Sequence, residues 1–297
     1  MLDINITSES DDDPKYKIKY KLKEYLLVKI NKYEEEYNNN KIKPGRPNAL
    51  TNEILLDAFL YVLFEGVTWS VASKLATGVY KYRSTLNRKF NEWVNRGIIN
   101  DTYNETVNMY LNEHNVDEVH IDSTDIQNKN IPSEYTYKSF KLKKQAIRLT
   151  VIGDLNRVPI EYSIDSAKNP DSVLGYNLLM KTNLKFKKNT KIYADKGYQM
   201  KEIKNNNILR KTNLKIVVPK RKYKKKKYKT KNYKKIRKRI RHSKQMKDGL
   251  KRRVIIEHIN SDLHRSFKRI DKIHEKKITT FNAFIQLAMS TILLNKC

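Results

Sequence analysis

The chain has 297 residues, and its 62 Lys+Arg outnumber 32 Asp+Glu to give a formal net charge of +30. The lone cysteine, Cys297, excludes an intramolecular disulfide and a cysteine-built zinc site; a mean hydropathy of −0.76 with no long apolar run argues against a membrane role. Self-repulsion on this scale is relieved by a polyanion, so nucleic acid is the first partner to consider.

The opening stretch MLDINITSESDDD is acidic and polar, unlike a secretory signal or transit peptide. The chain is therefore expected to be intracellular, in the cytoplasm of a prokaryote, with the nucleus open for a eukaryotic or viral host. Residues 1–14 read as a disordered tail, and Lys19 to Tyr37 as a helix with a weak apolar stripe at Tyr20, Leu22, Leu26, Leu27 and Ile30. Tail and helix make up residues 1–43. PGRP, with Arg46, is a linker.

Residues 44–115 form the next region, helical and DNA-binding-like. Thr51 can cap EILLDAFLYVLFEG, which Gly66 stops; a short helix then ends at Gly78 and a longer one at Gly97. This order is that of a helix-turn-helix. Leu86, Phe90, Trp93 and Val94 share one face of the longer helix, leaving Arg83, Asn87, Arg88 and Asn91 on others, so Arg83 and Arg88 are candidate DNA contacts. A packing module without DNA contact has the same pattern.

From residue 116 to 297 the periodicity becomes that of a mixed α/β domain. VDEVHID reads as a strand ending in acid, IRLTVIGD and RVPIEYSID as a hairpin, DSVLGYNLLMK as a helix and KIYAD as a strand. YQMKEIKNN is then helical and LKIVVP a strand. A lysine-rich insertion at about 219–247 follows, acid-free from Lys220 to His242. Two helices close the pattern, GLKRRVIIEHINSDLHRSFKRI and the apolar TTFNAFIQLAMSTILLN, the latter expected to pack on the sheet.

Three acids stand at junctions of this pattern: Asp122 in HIDSTD, Asp195 in IYADKGY and Glu257 in RRVIIEHINSDL, above Val254, Ile255, Leu263 and Phe267. Carboxylates at strand ends and on a crossing helix can converge in one crevice. Phosphodiester transfer develops charge on the attacking and leaving oxygens, and two Mg²⁺ ions about 3.5–4 Å apart stabilise both. Such ions take hard oxygen ligands, which acids supply. Each acid by itself has a commoner explanation, as a turn cap or a solvated helix residue. Asp125 is expected on a loop beyond the strand, His120 in a structural role, and Ser123 and Thr124 in hydrogen bonds around the acids. In the basic tract, Lys220, Arg221, Lys222, Tyr223 and Lys224 open a run in which lysines can neutralise phosphates and tyrosines can stack on bases. A solvated loop or a nuclear-localisation signal would look the same.

HIDSTD, ADKGY and the Arg253-x-x-x-Glu257 block together resemble the insertion-sequence DDE transposases, over about residues 45–295. The resemblance implies a ribonuclease H-like mixed sheet flanked by helices, preceded by a small all-α helix-turn-helix-like unit. It implies that Asp122, Asp195 and Glu257 are catalytic and hold two Mg²⁺ ions, with Mn²⁺ as a substitute, while Arg253 faces the same site and contacts DNA. Lys196, read from the residues alone, is either a DNA contact or a solvated charge. It further implies cleavage at transposon ends and strand transfer into target DNA. The partners would be double-stranded DNA, as terminal inverted repeats and target, and a homodimer or larger synaptic complex. Leu250 and His264 stand where related enzymes have a tyrosine and a lysine, and Lys251, Arg252 or Arg265 could substitute. A metal-dependent endonuclease without strand transfer, and a transposase-derived DNA-binding protein, are the alternatives.

Overall fold

The computed structural model describes residues 14–39, 49–132, 135–181, 190–198, 215–217 and 244–297. Residues 1–13 of the acidic tail, the PGRP linker, the helix expected at YQMKEIKNN apart from its first residue Tyr198, and the basic tract from Lys220 to His242 lie outside them. Among the described residues no helix is long and apolar enough to cross a membrane. The chain forms two compact units. The first comprises Met1–Asn115, Asp125–Ile147 and Ser261–Cys297; the second comprises Val116–Thr124 and Arg148–Asn260.

The first unit is mainly helical. Helices α1 (Pro14–Asn39), α2 (Asn52–Glu65), α3 (Trp69–Thr77), α4 (Arg83–Asn95) and α5 (Ile98–Glu113) follow in order. Their ends are set locally. Thr51 and Thr68 accept hydrogen bonds from the Ile54 and Val71 N–H groups, closing the N-termini of α2 and α3. Gly66 and Gly78, at φ 65° and 76°, take the left-handed conformation that lets each terminal N–H reach back into its helix. Leu22, Leu26 and Ile30 of α1 are buried, whereas Tyr20 of the expected stripe is 52% exposed.

The last helix, α10 (Ile278–Leu294), packs against α5, α1, α2 and α4 rather than on the sheet. It is buried on nearly every side, as an all-round apolar helix demands, and other helices provide that surround. Phe284 stacks on Phe90 at 4.5 Å between ring centroids, and Phe59 meets Phe90 and Trp93 edge-on. Its polar residues are satisfied: Thr280 donates to Asn91 at 2.7 Å and Gln286 to Asn100 at 2.9 Å.

Seven strands of the described residues form one sheet. They are β1 (Glu118–Asn128), β2 (Tyr137–Lys138), β3 (Gln145–Asp154), β4 (Pro159–Ser166), β5 (Lys191–Ala194), β6 (Lys215–Val217) and β7 (Lys272–Ile273). In the second unit the neighbours run β4–β3–β1–β5–β6, with β1, β5 and β6 parallel. Helix α6 (Asp171–Lys181) follows β4, and α7 (Lys244–Arg252) lies against β5. This is the ribonuclease H-like mixed sheet that the resemblance implied. Two boundaries differ from the sequence reading. The strand expected to end at Asp122 continues to Asn128, so Asp125 lies within β1 and not on a loop; its far end pairs with β7, remote in sequence. The helix expected across 249–270 is divided into α7, α8 (Val254–Ser266) and α9 (Lys268–Asp271), with Arg253 at the first break.

Candidate active site

Parallel pairing positions the two aspartates. β1 and β5 align His120 with Tyr193 and Ile121 with Ala194, so Asp122 and Asp195 are the next residues along two adjacent strands. Asp122 stays in β1, while the chain leaves β5 at Asp195 and closes a tight turn in which the Tyr198 N–H donates to the Asp195 carbonyl at 3.0 Å. Gly197 serves that turn by close approach: a Cβ there would lie 2.8 Å from Oδ2 of Asp171. Asp171 is held by Arg148, which donates to its Oδ1 at 3.1 Å and to the Asn169 carbonyl at 3.0 Å.

Glu257 sits in the first turn of α8. The break at Arg253 resets the phase of the helix, so Ile256, Ile259 and Leu263 are its buried face, while Val254 is 44% exposed. Ile256 and Ile259 reach Gly153 of β3, where any side chain would collide with Ile259. Glu257 is thereby turned outward, half exposed. Arg253 joins two of the three acids: its Nη2 donates to Glu257 Oε1 at 3.0 Å, and its Nη1 lies 3.7 Å from Asp195 Oδ1. Arg253 and Glu257 are one helical turn apart, the spacing at which side chains meet.

Beneath the aspartates runs a buried hydroxyl chain that sequence patterns did not disclose. Tyr198, fully buried, has its hydroxyl 2.5 Å from Ser123 Oγ, and Ser123 Oγ is 2.9 Å from Thr150 Oγ1. Burial, and next the charge of Asp122, push the Tyr198 hydroxyl well above the ordinary tyrosine range. It therefore keeps its proton and can donate to Ser123, whose own hydrogen is left for Thr150. Ser123 thus has the hydrogen-bonding place expected from its sequence position, and Tyr198, the last residue of ADKGY, explains why that block ends on tyrosine.

A second support holds the start of the catalytic-looking helix. Arg252 makes a two-pronged contact with Glu118 of β1, Nε to Oε1 at 3.0 Å and Nη2 to Oε2 at 2.8 Å. His120, wholly buried, stacks on Tyr193 with ring centroids 5.4 Å apart. Its Nε2 is 3.2 Å from Glu118 Oε1 but off the direction of a hydrogen bond. Burial holds His120 below the ordinary histidine value, while Glu118 acts the other way. Gly249 of α7 lies so close to the Tyr193 ring that a Cβ would collide with it. Arg252 is thus engaged by Glu118, with 43% of its side chain exposed. Lys251 is exposed, Arg265 donates to Ser261 at 3.4 Å, and His264 lies 3.5 Å from Asp271.

Of the remaining candidates, Arg83 and Arg88 are exposed on α4, with Arg88 3.6 Å from Glu92. Lys196 opens the turn after Asp195. Lys220, Arg221, Lys222, Tyr223 and Lys224 lie outside the described residues. Among the described residues no three His, Cys, Asp or Glu side chains are grouped closely enough to hold one ion. The donor set is nevertheless one of hard oxygens, and a single cationic group, Arg253, already reaches two of its members. Mg²⁺ commonly takes one or two carboxylates and fills its remaining positions with water and phosphate, so these residues fit such an ion.

Neither the curated proteins nor the solved structures contain a match to the chain. The family model of the transposase DDE domain matches residues 117–293, a span that takes in Asp122, Asp195, Arg253 and Glu257. That span is more than half of the chain, which therefore belongs to the DDE transposase family.

Proposed function

We propose that this transposase hydrolyses one strand at each end of a mobile DNA element and joins the freed 3′-hydroxyl to target DNA, using Asp122, Asp195 and Glu257 as its catalytic acids. The observation that carries this reading is the convergence on Arg253. One guanidinium reaches both Asp195 and Glu257, while Asp122 and Asp195 directly follow the paired residues Ile121 and Ala194. Residues 116–297 then make up the catalytic domain and residues 44–115 a DNA-binding region.

The three acids would hold two Mg²⁺ ions, for which Mn²⁺ can stand in. When bound, such ions stabilise charge on the attacking and leaving oxygens of an in-line displacement. The chain's own part is positional. β1 and β5 hold the aspartates side by side, the Tyr198–Ser123–Thr150 chain fixes the turn after Asp195, and the Arg252–Glu118 contact anchors the approach to Glu257. Because hydrolysis by water and attack by the freed 3′-hydroxyl are each direct displacements at phosphorus, no covalent enzyme intermediate is required. Arg253 would contact the DNA backbone, as would Lys196. Arg83 and Arg88 would contact DNA from the helical region, and Lys220, Arg221, Lys222, Tyr223 and Lys224 from the basic tract. The DNA is double-stranded, as terminal inverted repeats and target, and work on paired ends calls for a homodimer or larger synaptic complex.

The test is cleavage of the element's own inverted repeats in Mg²⁺ or Mn²⁺, followed by strand transfer from pre-cleaved ends. Full activity of Asp195→Asn would remove the assigned acids. Cleavage without joining would make the chain an endonuclease.

A further inference from the structure

The hairpin joining β2 to β3 combines three properties that seldom coincide on a solvent-facing turn. Its backbone is fixed. Ser139, 1% exposed, accepts hydrogen bonds at Oγ from the Lys141 and Leu142 N–H groups at 3.1 and 3.0 Å, and donates to Asp125 Oδ2 at 2.6 Å. Its N–H and carbonyl bond to Lys144 and Lys143, both at 2.9 Å, and Lys143 is held in the left-handed region at φ 56°. Its tip is apolar and outward: Phe140 is 86% exposed, with Tyr135, Tyr137 and Leu142 exposed nearby. And its charge has one sign, Lys138, Lys141, Lys143 and Lys144 being exposed with no acid between residues 135 and 145.

A lone exposed aromatic on a loop is ordinary. One presented by a pre-formed turn that also carries four exposed lysines matches a polyanion that also offers flat apolar faces, which is DNA with an accessible base. Lys143 Nζ lies 3.9 Å from the Phe140 ring centroid, over one face of the ring. That leaves one face free, enough for a single base and not for insertion between two. We infer that the 135–144 hairpin is a DNA-contacting element: its lysines engage phosphates, and Phe140 stacks on one unpaired base of a distorted or nicked duplex. This rests on the chain acting on DNA but not on the assignment of the acids.

The test uses the full chain with a fully paired DNA duplex and the same duplex carrying one unpaired base. Wild type should favour the second. Phe140→Ala should lose that preference, by about tenfold in affinity, while keeping the salt dependence. Changing Lys138, Lys141, Lys143 and Lys144 to Gln should instead flatten the log–log salt slope by up to about 3–4, since each phosphate contact adds roughly 0.9. Both variants should keep the wild-type circular dichroism, because every changed side chain is exposed. Hairpin variants that bind both duplexes as wild type does would overturn the inference. So would a loss confined to self-association, or to binding of phosphatidylserine vesicles. If Asp195→Asn proves fully active while the hairpin variants lose DNA, the hairpin stands and the acid assignment falls. A wild-type chain that binds no DNA would remove both.

Discussion

A phenylalanine at position 198 would fill the space of Tyr198 and take from Ser123 its closest partner. With Thr150 still in place, Tyr198→Phe should lower stability by about 1 kcal/mol, read as a shift of the urea midpoint at unchanged slope. A larger effect should appear in catalysis, because this hydroxyl fixes the turn that carries Asp195. Asp195→Asn is the converse case. Its side chain is half exposed, so stability should hold, while cleavage falls by on the order of 10³-fold if metal ligation supplies several kcal/mol at the transition state. Unchanged cleavage would sink the assignment. At this scale the sequence marks the three acids only as candidates, through the blocks in which they stand. It was silent on their supports. Ser123 and Tyr198 are 75 residues apart, and Glu118 and Arg252 are 134 apart, distances over which no local pattern operates.

Among the elements, α7 and α8 illustrate how a long-range contact divides a run that looks continuous. Arg252 ends α7 on Glu118, whose side chain is nearly buried, while the arginine is 43% exposed. Arg252→Ala would leave Glu118 without its main partner, a loss of about 1–3 kcal/mol once the solvent at the arginine is taken into account. Glu118→Gln in the same chain should recover part of it; a double variant no better than Arg252→Ala would refute the coupling. His264, further along α8, gives the element a pH signature. Burial lowers its pKa below the ordinary 6.5, with nearby Asp271 opposing. The unfolded chain then binds the proton more readily, so the stability this residue contributes is complete above pH 6.5 and is lost as pH falls through the lowered value. His264→Gln should flatten the decline in melting temperature on acidification over that window. Helix ends were the most predictable features, since Thr51, Gly66 and Gly78 act within a few residues. The surroundings of α10 were not, because an all-apolar helix fits a sheet or a bundle equally well, and the other helices supply its contacts.

For the molecule as a whole, the charge of +30 opposes compactness, and added salt should relieve it. The melting temperature of the DNA-free protein should rise as KCl increases from low to physiological concentration; a fall would mean that local ion pairs outweigh the general repulsion. Composition thus foretold a polyanionic partner, but not that β1 would continue past Asp122 to pair with β7, which needs residues 272–273 in place. Against so positive a background, Arg253 has a further effect. It gives Asp195 and Glu257 a counter-charge from within the chain, which offsets their mutual repulsion without a divalent ion. On the proposed assignment, a chelator should stop cleavage and leave the melting temperature in place. On that assignment the folded chain would persist through ion scarcity, with the onset of its chemistry uncoupled from its survival.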